Sequence, residues 1–165
     1  MNDEILKGIL WRQFGASIDM LQNAIESCPE ANWDTEQQFW YSAYHTLFFL
    51  DYYLTHEPKD FAPPAPFDLS EFEDRMPPRS YSKAELLTYL LFCREKCKQL
   101  IGGLSDKSMQ VYWTNQSQTM HYPIVEILLY NLRHVQHHTA QLNLLLRQGT
   151  NDAPEWVYEA EDPLS

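Results

Sequence analysis

The last apolar segment of this 165-residue chain carries imidazoles where a core should be, and few folds accommodate that. Three of the six histidines fall within five residues of the stretch Asn131-Leu132-Arg133-His134-Val135-Gln136-His137-His138-Thr139-Ala140-Gln141-Leu142. Leu128 and Leu129 precede it, and Leu144, Leu145 and Leu146 follow. On a helix, residues four apart share a face with Cβ atoms about 5–6 Å apart, so His134 and His138 stack one turn above the other. One metal ion needs that spacing from two helical ligands. His137 sits about 60° round the helix, and either flanks the pair or points away from it. A third donor must come from elsewhere in the fold, and His45 is the best placed. It lies in Phe39-Trp40-Tyr41-Ser42-Ala43-Tyr44-His45-Thr46-Leu47-Phe48-Phe49-Leu50, a segment equally apolar. An imidazole there finds a partner or costs stability.

A lone buried histidine is more often a hydrogen-bonded core residue than a ligand. Two on one face of an apolar helix are rarer, and three converging neutral imidazoles would otherwise need three separate partners. His56 and His121 fall in loops or at element ends and read as solvated. Cys93 and Cys97 are one helical turn apart, which suits thiolate ligands but suits small buried hydrophobes better. Other chemistries leave no trace. No Glu-x-x-His occurs, so a ferritin-like di-iron site is excluded. Cys-x-x-Cys-His, His-Glu-x-x-His, glycine-rich phosphate loops and Gly-x-Ser-x-Gly are also absent.

The net charge of −11 argues against nucleic-acid and anionic-membrane partners, which are recognised by clustered Lys and Arg. No apolar run approaches the roughly 20 residues a bilayer span requires. Met1-Asn2-Asp3-Glu4 is polar and acidic, and the three cysteines, Cys28, Cys93 and Cys97, form no Cys-x-x-Cys. Both features lead to the expectation of a cytoplasmic protein.

Periodicity predicts four long helices and no convincing strands: an all-α four-helix bundle. Ile5, Ile9, Leu10, Phe14, Ile18, Leu21 and Ile25 form the stripe of helix one, which Cys28-Pro29 ends. Helix two is expected to start at Asp34 or Thr35, each with Gln three residues on as in a capping box, and to run to about Thr55. Its apolar residues go nearly all the way round, which places it centrally and leaves a face for a homodimer. A long proline-rich crossover between helices two and three spans 56–81, with a short helix expected over Leu69–Asp74. Phe61, Phe67, Leu69, Phe72 and Met76 are expected to pack it onto the body. Ser82-Lys83-Ala84-Glu85 is a capping box for helix three, which Gly102-Gly103 ends. After an extended piece at Val111-Tyr112-Trp113, Pro123 is expected as the first residue of helix four and Gly149 as its stop. Residues 1–150 are thus read as the bundle domain and 151–165 as an acidic tail, with Trp156 and Tyr158 as docking residues.

His134-x-x-x-His138-x-x-Gln141-Leu142 near the end of a four-helix chain, with a single histidine in the middle of helix two, resembles the DinB-like family. The resemblance runs from helix one to Gly149, and Ala140 departs from it where the family often has glycine. It implies a four-helix bundle holding a divalent metal, zinc or nickel above all. The ligands carried over by position are His45, His134 and His138, with Gln141 beside them. Enzymes of the family use low-molecular-weight thiols such as mycothiol or bacillithiol, as S-transferases or thiol-dependent isomerases. The resemblance therefore implies a metal that activates a small thiol or water. Three protein ligands with an open position are the catalytic pattern, since structural zinc is normally closed by four. Catalytic residues are not identifiable. Tyr41, one turn before His45, and His137 are pocket candidates that equally serve as core and surface residues. The alternative is a non-catalytic bundle that binds metal or a small ligand.

Overall fold

The computed structural model describes residues 3–164. Met1 and Asn2, part of the start read as cytoplasmic, and Ser165, the end of the tail, lie outside the described residues. Five helices follow one another: α1 (Asp3–Ser27), α2 (Glu30–Trp33), α3 (Phe39–Leu54), α4 (Lys83–Gly102) and α5 (Ile124–Thr150). The four long ones form an all-α bundle in which α1 and α3 each pack against both α4 and α5. The interior is filled by Phe14, Ile18, Leu21 and Ile25 of α1, Leu47, Phe48 and Leu50 of α3, Leu86, Leu90 and Cys93 of α4, and Val135 and Leu142 of α5. Each such side chain stabilises the fold by about 1.5–3 kcal/mol relative to leaving it in water. The thiols of Cys93 and Cys97 are fully buried and pushed to high pKa by desolvation, so they behave as small hydrophobes.

Several element ends differ from expectation. α3 begins at Phe39, not at Asp34 or Thr35, and its cap is Gln38 in the left-handed region with φ 51° and no side-chain bond. The polar residues before it have other partners: the Asp34 carboxylate accepts from Trp40 Nε1 (2.8 Å) and from the Ser80 hydroxyl, and Thr35 accepts from the Gln37 amide. Pro123 is the last residue of a strand instead of the first of a helix, and the Ile124 amide is tied to Val111 O at 3.1 Å. α5 passes Gly149 and stops at Asn151, whose φ of 59° turns the chain. A Cβ at Gly149 would lie 2.5 Å from Asn32 Nδ2, the end of a side chain that can swing aside. The capping box of α4 forms as read, with Ser82 and Glu85 bonding reciprocally.

The segment joining α3 to α4 buries Phe67 and packs Phe61 and Leu69 on the core, while Phe72 and Met76 remain partly exposed. The helix expected at Leu69–Asp74 is a compact turn instead: the amides of Phe72 and Glu73 donate to Leu69 O, and those of Glu73 and Arg75 to Ser70 O. A small antiparallel hairpin pairs β1 (Tyr112–Thr114) with β2 (His121–Pro123), where only an extended piece was expected. It buries Trp113, whose Nε1 donates to Thr55 O at 2.9 Å. His121 is exposed and bonded to Thr114, and His56 is exposed. No helix among the described residues is long and apolar enough to cross a membrane.

Residues 151–164 lie against α1 and α4. The Ala160 amide donates to Arg12 O (2.9 Å), and Trp11 Nε1 donates to Asp162 O (2.7 Å). The approach is close enough to need a glycine, since a Cβ on Gly15 would lie 2.6 Å from Ala160 Cβ. The Asp162 carboxylate accepts from Arg94 and Lys98 at 2.5 Å each, and Arg94 also grips Asp19 at 2.7 Å. Trp156 and Tyr158 stay largely exposed. Hydrogen bonds from Arg94, supported by Lys98, hold the Asp162 carboxyl down to a pKa of about 2. A carboxyl with a depressed folded pKa stabilises above its unfolded pKa, and the effect is lost as pH falls through the folded one. Asp162 is partly solvated, so the pairs together contribute about 1 kcal/mol. Asp162→Asn should therefore lower the melting temperature by about 2–4 °C at pH 7. Melts taken at successive pH values should show that deficit shrinking between about pH 4 and pH 2.

Candidate metal centre

Where α3 crosses α5, three imidazoles meet. The ring centroids lie 5.6 Å apart for His45 and His134, 4.7 Å for His45 and His138, and 4.6 Å for His134 and His138. One nitrogen from each lies within 4.8 Å of the others. Helical register accounts for the convergence. Asn131, Val135, Thr139 and Leu142 form the buried stripe of α5, and His134 and His138 occupy its edge, one turn apart. On α3, His45 lies between buried Tyr44 and Thr46. Phe49 walls the cluster, 4.9 Å from the His45 ring and 5.8 Å from His134, and Tyr53 lies 5.9 Å from His134.

Two rings are oriented through Nδ1. His45 Nδ1–H donates to Glu71 Oε2 at 2.8 Å, and His138 Nδ1–H donates to Gln141 Oε1 at 2.8 Å. Each bond leaves Nε2 as the nitrogen free to ligate. His134 differs: both its ring nitrogens are buried with no hydrogen-bond partner among the described residues. Burial, and then the neighbouring His138, His45 and His137, push its pKa down to about 3. Burial and His45 lower that of His138 as well. His134 is therefore neutral at physiological pH, the form a metal ligand must take. A buried imidazole with neither nitrogen satisfied costs stability unless something occupies it. The donor set fits a divalent ion: three imidazoles, with the partnerless one in their midst.

The sequence model of the DinB superfamily matches residues 13–142, a span that contains all three histidines. The chain belongs to the DinB superfamily. No curated protein and no solved structure matches it.

The remaining candidates of this DinB-superfamily chain take distinct places. Gln141 is exposed, with its amide oxygen on His138. His137 is exposed, its ring 5.0 Å from that of His138, and it is not among the clustered donors. Tyr41 is half-buried near Glu71, and burial together with the Glu71 charge raises its hydroxyl pKa to about 12. Glu71 itself carries no sequence signal, since it sits in an aperiodic proline-rich segment among other acidic residues. Only the folding of that segment onto α3 brings it to His45.

The two orphaned nitrogens set up a measurable conflict between stability and function. His134→Leu replaces an unsatisfied polar ring with an apolar side chain. Compared in excess chelator, the variant should be more stable than the wild type by about 1–3 kcal/mol in urea unfolding. A clear loss of stability would show that the His134 nitrogens have partners.

Proposed function

We propose that this protein is a divalent-metal-dependent enzyme that activates a small thiol, or water, at His45, His134 and His138, in the manner of a thiol S-transferase. The observation carrying the proposal is the partnerless, neutral His134 between two histidines already oriented through Nδ1. Among the described residues the metal-competent group comprises three residues and no fourth, so one position stays open. An all-imidazole donor set favours zinc or nickel over calcium or magnesium, which prefer oxygen. When bound, such an ion acts as a Lewis acid that lowers the pKa of a thiol or water at the open position.

The protein's own groups supply orientation and exclusion. Gln141 and Glu71 hold the rings of His138 and His45, while Phe49 and Tyr53 keep water from one side of the cluster. An open depression along α5 is bordered by Tyr130, Arg133, His134 and His137, and of the three clustered histidines it touches His134. Arg133 makes no ion pair among the described residues, so it offers a cation on that face of α5 in a chain of net charge −11. The same charge disfavours a nucleic-acid substrate.

A second reading, a metal-binding bundle without catalysis, draws support from Tyr41. A hydroxyl with its pKa raised to about 12 is a poor general base near neutral pH. Metal analysis of tag-free protein, wild type beside His134→Ala, tests the shared premise. The wild type should hold about one equivalent of zinc or nickel, and the variant should lose it while circular dichroism shows both helical. Saturating metal at about 100-fold over Kd should raise the wild-type melting temperature by about 5–10 °C. A wild type that takes up no metal after reconstitution refutes both readings. Transfer assays with small thiols then separate enzyme from binding module.

A further inference from the structure

Glu71 is the buried charge that the fold does not explain. Its side chain is 5 % exposed, its Oε2 receives the His45 Nδ1–H at 2.8 Å, and its Oε1 is buried without a hydrogen-bond partner. No lysine or arginine pairs with it among the described residues, and its one ion-pair partner is His45. The Tyr41 hydroxyl lies near it but carries no positive charge, and desolvating a carboxylate with no full cation beside it can cost more than such contacts return. A cation one imidazole away would reverse that balance.

The protein invests structure in keeping the carboxylate there. Glu71 sits in the turn over 68–75, which is fixed from both sides. Tyr44, next to His45 on α3, donates its hydroxyl to Asp68 O (2.9 Å) and meets Ser70 Oγ at 3.2 Å. The Asp68 carboxylate accepts the Ser70 amide (3.0 Å) and the Arg75 guanidinium (2.9 Å), and the Arg75 amide closes on Ser70 O at 3.2 Å. Adjacent residues of α3 thus hold the turn and receive its carboxylate. The partner of His138, by contrast, is a neutral and exposed amide.

We infer that Glu71 is a positioning residue of the metal centre: it holds His45 as the Nδ1–H tautomer with Nε2 as donor, and so makes the 68–75 turn part of the site. The inference rests on the metal-binding reading above. A carboxylate behind a ligating histidine fixes the ring and raises its basicity, an effect on metal affinity of about 10–100-fold. Linkage makes the coupling reciprocal, so a loaded centre steadies the turn as much as the turn steadies the centre.

The test uses full-length wild type, Glu71→Gln and Glu71→Ala, with zinc as the probe. Zinc affinity is read by competition with a chromophoric chelator, the His45 tautomer by nitrogen-15 NMR of the metal-free protein, and protection of residues 69–75 by hydrogen exchange with and without zinc. Glu71→Ala should lose about 10–100-fold in affinity and show mixed His45 tautomers. Glu71→Gln keeps an acceptor in nearly the same shape. It should hold the tautomer and recover part of the affinity, and it serves alone if the alanine variant does not fold. Zinc should slow exchange in the turn of the wild type, and do so less in the variants. If wild type and folded variants bind zinc equally, with one tautomer throughout, Glu71 is not a positioning residue although the metal site stands. If the wild type binds no zinc, the metal reading fails first and this inference with it.

Discussion

The packing of α3 on α5 is the contact on which the rest depends, because it forces three imidazoles into one place. α3 has buried residues around most of its circumference, from Phe39 and Trp40 through Leu47 and Phe48 to Leu54, so it has to be enclosed. α4 and α5 cover two sides, and the segment between α3 and α4 closes a third with Phe61, Phe67 and Glu71. Within that enclosure His45 has little freedom. The ring packs against Phe49 and points its two nitrogens at one carboxylate and one histidine cluster. The same burial that stabilises the bundle lowers the pKa of His134 and His138 and leaves His134 without a hydrogen-bond partner among the described residues. Fold and site are therefore two consequences of one interface.

What could be read from the sequence follows from the range of the interactions involved. Helical period and the Ser82-Glu85 capping box are local, and the long helices and the start of α4 emerged where expected. The meeting of His45 with His134 and His138 was legible because only apolar helices carry them. Features decided by distant partners were not. Asp34 and Thr35 looked like caps, but Asp34 is claimed by Trp40 and Ser80, and α3 starts later on Gln38. Gly149 looked like a helix stop, but α5 runs on to Thr150 and turns at Asn151. Glu71 was invisible for the same reason. Its neighbours in sequence say nothing of His45, which lies 26 residues away.

Two buried carboxylates near the same helix show how a structural charge differs from one that serves a site. Asp51 on α3 is 2 % exposed, and its oxygens take the Lys96 ammonium at 2.5 Å and the Tyr89 hydroxyl at 2.9 Å. Lys96 is itself completed by Thr55 Oγ1 at 2.6 Å. Charge and hydrogen-bonding capacity are both matched, so nothing further is needed there; removing one partner would strand the other, which is the costly event in a buried pair. The Glu71 side chain is nearly as well buried, but its one ion-pair partner among the described residues is the His45 imidazole, with no lysine or arginine. Its neighbours include two more imidazoles whose burial resists protonation, so neither His134 nor His138 supplies a compensating charge. Proteins tolerate such an imbalance where function requires it, since a group satisfied only in the loaded state links binding to order. The excess negative charge of the chain is largely solvated at its surface. At Glu71 it is turned inward, beside three imidazoles whose nitrogens lie close enough together to hold one metal ion.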